Sequence, residues 1–196
     1  MLIAYLFTKG WILHYKTEKT LVAVSDKGMV ADIGNVLLEK GIEDFHVVHS
    51  MYEAVDLMLE HSFSCFVIDG QLLISSDKYK QRLAGVDFVR FIRMCDGPVS
   101  EASVIFLRST GSVQNLLEAQ AEIADARDSG ASCIVSQPLT SHKFNEIIEP
   151  NLAQNRTFIR TANYVGPCRR RGDNDVTIER RTAQSPARRR TEISDE

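Results

Sequence analysis

Five short apolar runs alternate with amphipathic segments between Thr20 and Leu152, and this alternation constrains the fold more than any other feature. Leu21–Ser25, Phe45–His49, Cys65–Ile68, Ser103–Leu107 and Ser132–Ser136 have the length and the β-branched or apolar make-up of buried strands. Between them, Gly28–Lys40 sets Met29, Ile33, Val36 and Leu37 on one helical face, and Gly41 ends it. Met51–Glu60, Val86–Met94, Ser112–Ser129 (stopped by Gly130) and Ser141–Leu152 complete the helical series, and polar Ser75–Arg82 is expected to be a solvated loop. Strands that are apolar on both faces and separated by helices imply a parallel sheet covered on both sides. Right-handed crossovers then favour an α/β fold, the flavodoxin-like doubly wound (βα)5 arrangement with strand order 2-1-3-4-5.

Composition agrees with one such unit and short appendages. The chain has 196 residues, 44% hydrophobic and 25% charged, the balance of a soluble globular protein. Three segments are expected: an N-terminal extension over 1–19, the folded domain over 20–152, and a basic, flexible tail over 153–196. The net charge of −3 conceals an asymmetry, because ten arginines and six acids lie beyond Pro150, with the acid excess before it. Cys65, Cys95, Cys133 and Cys168 form no C-x-x-C pair, so reduced thiols in a cytoplasmic protein are expected. The scattered histidines contain no H-E-x-x-H motif. Met1–Tyr15 is apolar but broken by Thr8-Lys9-Gly10, too short to span a bilayer, and it lacks a basic leader. It reads as an element packed on the domain or on a partner subunit, with membrane-surface anchoring as the alternative.

Ligands of doubly wound sheets bind beyond the carboxyl ends of the strands. Three polar groups arrive at that edge: Ser25-Asp26 after the first strand, Asp69-Gly70 after the third, and Ser136-Gln137-Pro138 after the fifth. In the order 2-1-3-4-5 the first and third strands are neighbours, so Asp26 and Asp69 should converge. Such a pair suits a hard cation such as magnesium, beside which a carboxylate can act as a nucleophile toward phosphorus. On spacing alone, solvated strand-end acids that help begin the next helices are the favoured reading.

The order of these residues resembles the receiver domain of two-component response regulators. Gly85-Val86-Asp87-Phe88-Val89-Arg90-Phe91-Ile92-Arg93 is similar to the start of that family's third helix, and Ala126-Arg127-Asp128-Ser129-Gly130-Ala131 to the end of its fourth helix and the turn that follows. The similarity covers Thr20 to Leu152. Phe158-Ile159-Arg160-Thr161, Tyr164-Val165-Gly166-Pro167 and Arg169-Arg170-Arg171 are similar to the tail of a subset of single-domain receivers. The resemblance implies that Asp69 is the phospho-acceptor. It also implies that Mg2+ is held by Asp26, Asp69 and the backbone carbonyl of Gln71, and that a histidine kinase or phosphotransfer protein is the upstream partner.

The sequence departs from that pattern. The family's acidic pair is reduced to Ser25-Asp26. Arg108 stands where a hydroxyl switch is expected, with Ser109 or Thr110 as substitutes one or two positions on. Gln137 replaces the lysine that contacts the phosphoryl group, and Ile134 replaces an aromatic residue. Arg108, Ser109 and Gln137 are therefore the phosphoryl-contacting candidates. Arg108 could clamp a phosphoryl group bidentately, or pair with Asp26 or Asp69 and lock the site. Gln137-Pro138 is compatible with a cis peptide. The loop after Asp69 and the fourth helix are longer than the family pattern.

No reader domain for nucleic acid follows, and interspersed acids weaken the arginine clusters as a DNA-binding surface, so nucleic-acid binding is disfavoured. Three functions follow. One is a non-enzymatic response-regulator receiver in phosphorelay signalling, working through a downstream protein target, with a homodimer compatible. Another is a phosphorylation-independent pseudo-receiver serving as an interaction module. The last is a flavodoxin-like small-ligand-binding protein, ranked lowest because Asp26-Lys27-Gly28-Met29 offers no glycine-rich loop.

Overall fold

The computed structural model describes residues 19–77, 83–109, 116–153 and 156–169. Thr20–Ala23 (β1), Phe45–Val48 (β2), Cys65–Asp69 (β3), Ser103–Arg108 (β4) and Cys133–Ser136 (β5) form one sheet in the order β2-β1-β3-β4-β5. All four pairings are parallel. The expected (βα)5 topology is therefore present.

Each helix follows from its pattern. Gly28–Glu39 (α1) buries Ile33, Val36 and Leu37, and the chain leaves it through Gly41 at φ 75°. Met51–Glu60 (α2) is capped by Ser50, whose Oγ accepts from Glu53 N at 3.2 Å, while Glu53 Oε2 accepts from His49 N at 2.8 Å. Gly85–Met94 (α3) buries Phe88, Val89, Ile92 and Arg93. Leu116–Asp128 (α4) buries Ala126. The last helix (α5) comprises Ser141–Lys143, a π-helical stretch Phe144–Ile148, and Glu149–Ala153.

Because strand side chains alternate, the sheet divides the core in two. Val22, Val67, Ile105, Leu107 and Val135 pack with Ile33 and Leu37 of α1 and Phe144 and Ile148 of α5. Leu21, Phe66, Ile68, Val104 and Phe106 pack with Ala54 of α2, Phe88 and Ile92 of α3, and Ala126 of α4. No helix among the described residues is long and apolar enough to cross a membrane.

The expectation of a flexible tail from residue 153 is corrected over its first part. Phe158–Thr161 (β6) and Tyr164–Pro167 (β7) form an antiparallel hairpin that packs on the domain. Its anchor is Arg93, a residue only 2% exposed. Arg93 Nε donates to Gly130 O at 2.9 Å, Nη1 to Ser100 O at 2.9 Å and Ala102 O at 2.7 Å, and Nη2 to Ser132 Oγ at 3.2 Å. The Phe158 ring lies with its centroid 5.0 Å from the guanidinium carbon, a cation–π contact. Burial pushes Arg93 down to about 10, against opposing attraction from Tyr164 and Glu101, so it stays charged at neutral pH. Two glycines permit the close contact. Gly130 has φ +98°, and a Cβ there would lie 2.3 Å from Val165 O; a Cβ on Gly166 would lie 2.9 Å from Gly130 Cα. Arg169, counted above among the tail arginines, is instead a structural anchor: it pairs with Asp128 at 2.7 Å, donates to Arg127 O at 2.9 Å and stacks on Tyr164. The N-terminal segment 1–18, residues 78–82 of the expected loop, Thr110, and the arginines from 170 onward lie outside the described residues.

Candidate functional site

Asp69 is the last residue of β3 and is 2% exposed. It reaches the carboxyl edge because β3 lies between β1 and β4, paired with Leu107 in register. The turn beyond it is tight: Leu72 N donates to Asp69 O at 3.0 Å, and Gly70 N donates to Leu107 O at 2.8 Å. The start of α3 closes on this turn so tightly that a Cβ on Gly85 would lie 2.5 Å from Asp69 O. Asp69 Oδ1 accepts two hydrogen bonds, from Gln71 N at 3.0 Å and from Gln137 Nε2 at 2.7 Å. Gln137 is delivered by β5, with its own N–H on Arg108 O at 2.8 Å and a cis bond to Pro138. Burial pushes the Asp69 carboxyl above the ordinary aspartate range; the hydrogen bonds from Gln71 and Gln137 oppose this, and repulsion from Asp26 adds to it.

Asp26 is thus within electrostatic reach of Asp69, as expected, but it is exposed and occupied locally. Its Oδ1 accepts from Gly28 N at 2.8 Å, an Asx turn that starts α1. Ser25, at the position of the missing second acid, is committed elsewhere. Its Oγ accepts from Leu73 N at 2.7 Å and donates to His49 O at 3.3 Å, stitching the ends of β1 and β2 to the chain after β3. His49 strengthens that seam by donating from Nδ1 to Val24 O at 2.9 Å.

These residues supply only part of the implied magnesium site. Two carboxylates converge, the hydroxyl in the place of a third is engaged with the backbone, and no group of three or more His, Cys, Asp or Glu among the described residues could hold a metal ion. The Gln71 carbonyl remains a candidate ligand by position only.

Arg108 ends β4, half-buried and in register with Ser136; Ser109 follows it, also half-buried. The charge of Arg108 acts on Glu122 of α4, a residue absent from the sequence reading. Lys143 was missed as well: its Nζ donates to Ser136 O at 2.8 Å and Pro138 O at 2.9 Å, so a lysine flanks the turn that carries Gln137 and binds its carbonyls. The sequence signal was available, since Lys143 is the sole lysine after Lys80. Glu122 left none, because its role depends on where α4 packs against β4 and β5.

No family model matches the sequence, and no curated protein matches it. Solved structures do. One is the receiver domain of a signal transduction histidine kinase from Syntrophus aciditrophicus, 15% identical with a TM-score of 0.52, over 74% of this chain and 99% of that one. Another is a protein assigned as a response regulator from Chloroflexus aurantiacus, 15% identical with a TM-score of 0.54, over 70% of this chain and 98% of that one. The N-terminal domain of a response regulator/sensory box/GGDEF protein from Carboxydothermus hydrogenoformans is 20% identical, with a TM-score of 0.50, over 69% and 94%. The chain has the receiver fold. At these identities the likeness is one of fold, and the receiver's chemistry rests on its own residues. Compared with the expected receiver site, this one keeps Asp69 and Asp26, has neutral Ser25 and Gln137 in place of charged helpers, and has Arg108 in place of a hydroxyl.

Proposed function

We propose that this chain is a receiver-fold signalling module that acts through protein contacts and does not depend on phosphorylation of Asp69. The observation that carries this reading is the hydrogen bond of 2.7 Å from Gln137 Nε2 to Asp69 Oδ1. A neutral amide satisfies the buried carboxylate, but it brings no charge to a phosphoryl group, and hydrogen bonds to ionised donors are roughly twice as strong as neutral ones. The commitment of Ser25 to Leu73 and His49 supports the same reading, since it leaves the metal position short of a ligand. In this function the chain is no enzyme, and its partner is a downstream protein. Relatives in fold belong to a histidine kinase and to a GGDEF regulator, which supports a partner among signalling proteins.

The test uses the full chain with Mg2+ and either acetyl phosphate or beryllium fluoride, read by intact mass and by NMR. The expected result is no phosphoryl adduct and no chemical-shift change at Gly70, Gln71 or Gln137. An adduct that disappears in Asp69→Asn overturns the reading in favour of a phosphorylated regulator. The nearness of Asp26 to Asp69 is the observation on that side.

A further inference from the structure

Glu122 has no part in the hydrogen bonding of the site, yet it lies against it. It stands one helical turn before the buried Ala126 of α4, so it shares the face that packs on the sheet. A Cβ placed on Gly70 would lie 3.1 Å from Glu122 Oε1 and 3.0 Å from the Phe106 ring. The carboxylate therefore fills the space that a side chain at position 70 would take. Its other oxygen, Oε2, is buried without a hydrogen-bond partner. Leaving such an atom unpaired is unfavourable, so something else must hold it there. Burial raises the Glu122 carboxyl, attraction to Arg108 lowers it, and repulsion from Asp69 raises it. Arg108 is the attractive partner, and the packing of α4 supplies the rest.

We propose that Glu122 is an autoinhibitory gate on Asp69: it covers the turn at Gly70, draws the Arg108 charge to itself, and keeps phosphoryl donors away from the acceptor. The proposal rests on the reading of the chain as phosphorylation-independent and supplies a cause for it. With acetyl phosphate as donor, a carboxylate oxygen of Asp69 would form a bond to phosphorus while the bond from phosphorus to the acetyl oxygen breaks. Acetate leaves with that electron pair. Both the donor and the group in flight are anionic, with charge spread over three equatorial oxygens. At this edge they meet the carboxylates of Asp26, Asp69 and Glu122, while Arg108, the charge best placed to offset them, lies within electrostatic reach of Glu122. Removing Glu122 lowers the repulsion, opens the space over Gly70 and frees Arg108 to turn toward the acceptor.

The experiment compares wild type, Glu122→Gln and Glu122→Ala in the full chain, with acetyl phosphate and Mg2+, by the initial rate of intact-mass adduct formation and by beryllium fluoride titration in NMR. Circular dichroism verifies folding, and Glu122→Gln keeps the test alive if the alanine variant unfolds, because it preserves shape. The expected result is adduct formation in Glu122→Ala at roughly tenfold or more above the wild-type background, the order expected for removing one nearby like charge. Glu122→Gln should fall between the two. The new adduct must be absent from the Glu122→Ala, Asp69→Asn double variant. If wild type and both variants are equally silent, the gate is overturned while the phosphorylation-independent reading survives. If wild type reacts and the variants react no faster, both fall. If wild type reacts and the variants react at least about tenfold faster, the gate stands and only that reading falls.

Discussion

Arg93→Met removes the anchor of the hairpin while keeping much of the side chain's length and apolar bulk. The guanidinium makes four hydrogen bonds, three of them to the backbone carbonyls of Gly130, Ser100 and Ala102. Hydrogen bonds to charged groups contribute about 1.5–3 kcal/mol each, so their gross value exceeds about 6 kcal/mol. Much of this offsets the desolvation of a charge that is nearly fully buried. The substitution removes both the bonds and the buried charge, but it leaves three carbonyls facing apolar atoms. At about 1–3 kcal/mol for each unsatisfied group, the net loss is about 3–9 kcal/mol, a large part of the roughly 5–15 kcal/mol that holds a domain folded. Urea denaturation followed by far-UV circular dichroism measures it as a fall in midpoint at nearly constant m. Hydrogen exchange at Val165 and Gly166 should lose protection before the central strands do, because the hairpin detaches first. Arg93→Lys should recover only part of the loss, since one ammonium cannot reach acceptors on three separate segments. A loss under about 1 kcal/mol in Arg93→Met, or full recovery by lysine, would refute the reasoning that the planar, multidentate geometry matters.

Asp69→Asn should raise the melting temperature at pH 7 in EDTA. The folded state holds the Asp69 carboxyl above its ordinary range, so it binds that proton more tightly than the unfolded chain does. Stability from this group is then highest below the unfolded value of about 3.9 and falls as pH rises through the folded value; the asparagine variant escapes that fall, and the two curves should converge in acid. Gln137→Lys places an ammonium beside Asp69 and should bring its carboxyl down toward the ordinary range, visible in the 13C-detected titration of that side chain; an unchanged titration would show that the amide's position is not the one described. Gly130→Ala combines an unfavourable φ with a contact on Val165 O and should cost about 1–3 kcal/mol, checked by denaturant midpoint. Burial pushes the Cys133 thiol up to about 11, so it should resist maleimide at pH 8 until the protein unfolds, with peptide mapping as the readout.

The strands and helices were legible because burial leaves a periodic trace. Cys65–Asp69 is fully buried on both faces, and such a segment in water-soluble surroundings has few alternatives to the centre of a parallel sheet. The convergence of Asp26 and Asp69 was legible too, since strand order alone puts their two strand ends side by side. The hairpin was not. Phe158–Thr161 and Tyr164–Pro167 lie at the head of an arginine-rich stretch whose composition favours solvent. What orders them is a distant residue, Arg93, whose need for partners cannot be read from its own helix.

The same division runs through the site. Residue type determined which groups arrive at the sheet edge: one buried aspartate, one neighbouring acid, and the substitutions at Ser25, Arg108 and Gln137. Only the tertiary structure decided what those substitutions do. Ser25 turned to the backbone of Leu73 and His49, Gln137 took the Asp69 oxygen, and Arg108 came under the field of Glu122. The physical reason is that a strand's periodicity sets where its end lies, whereas hydrogen bonds and charges choose partners by distance, and those distances exist only once helices from far along the chain have packed across the sheet.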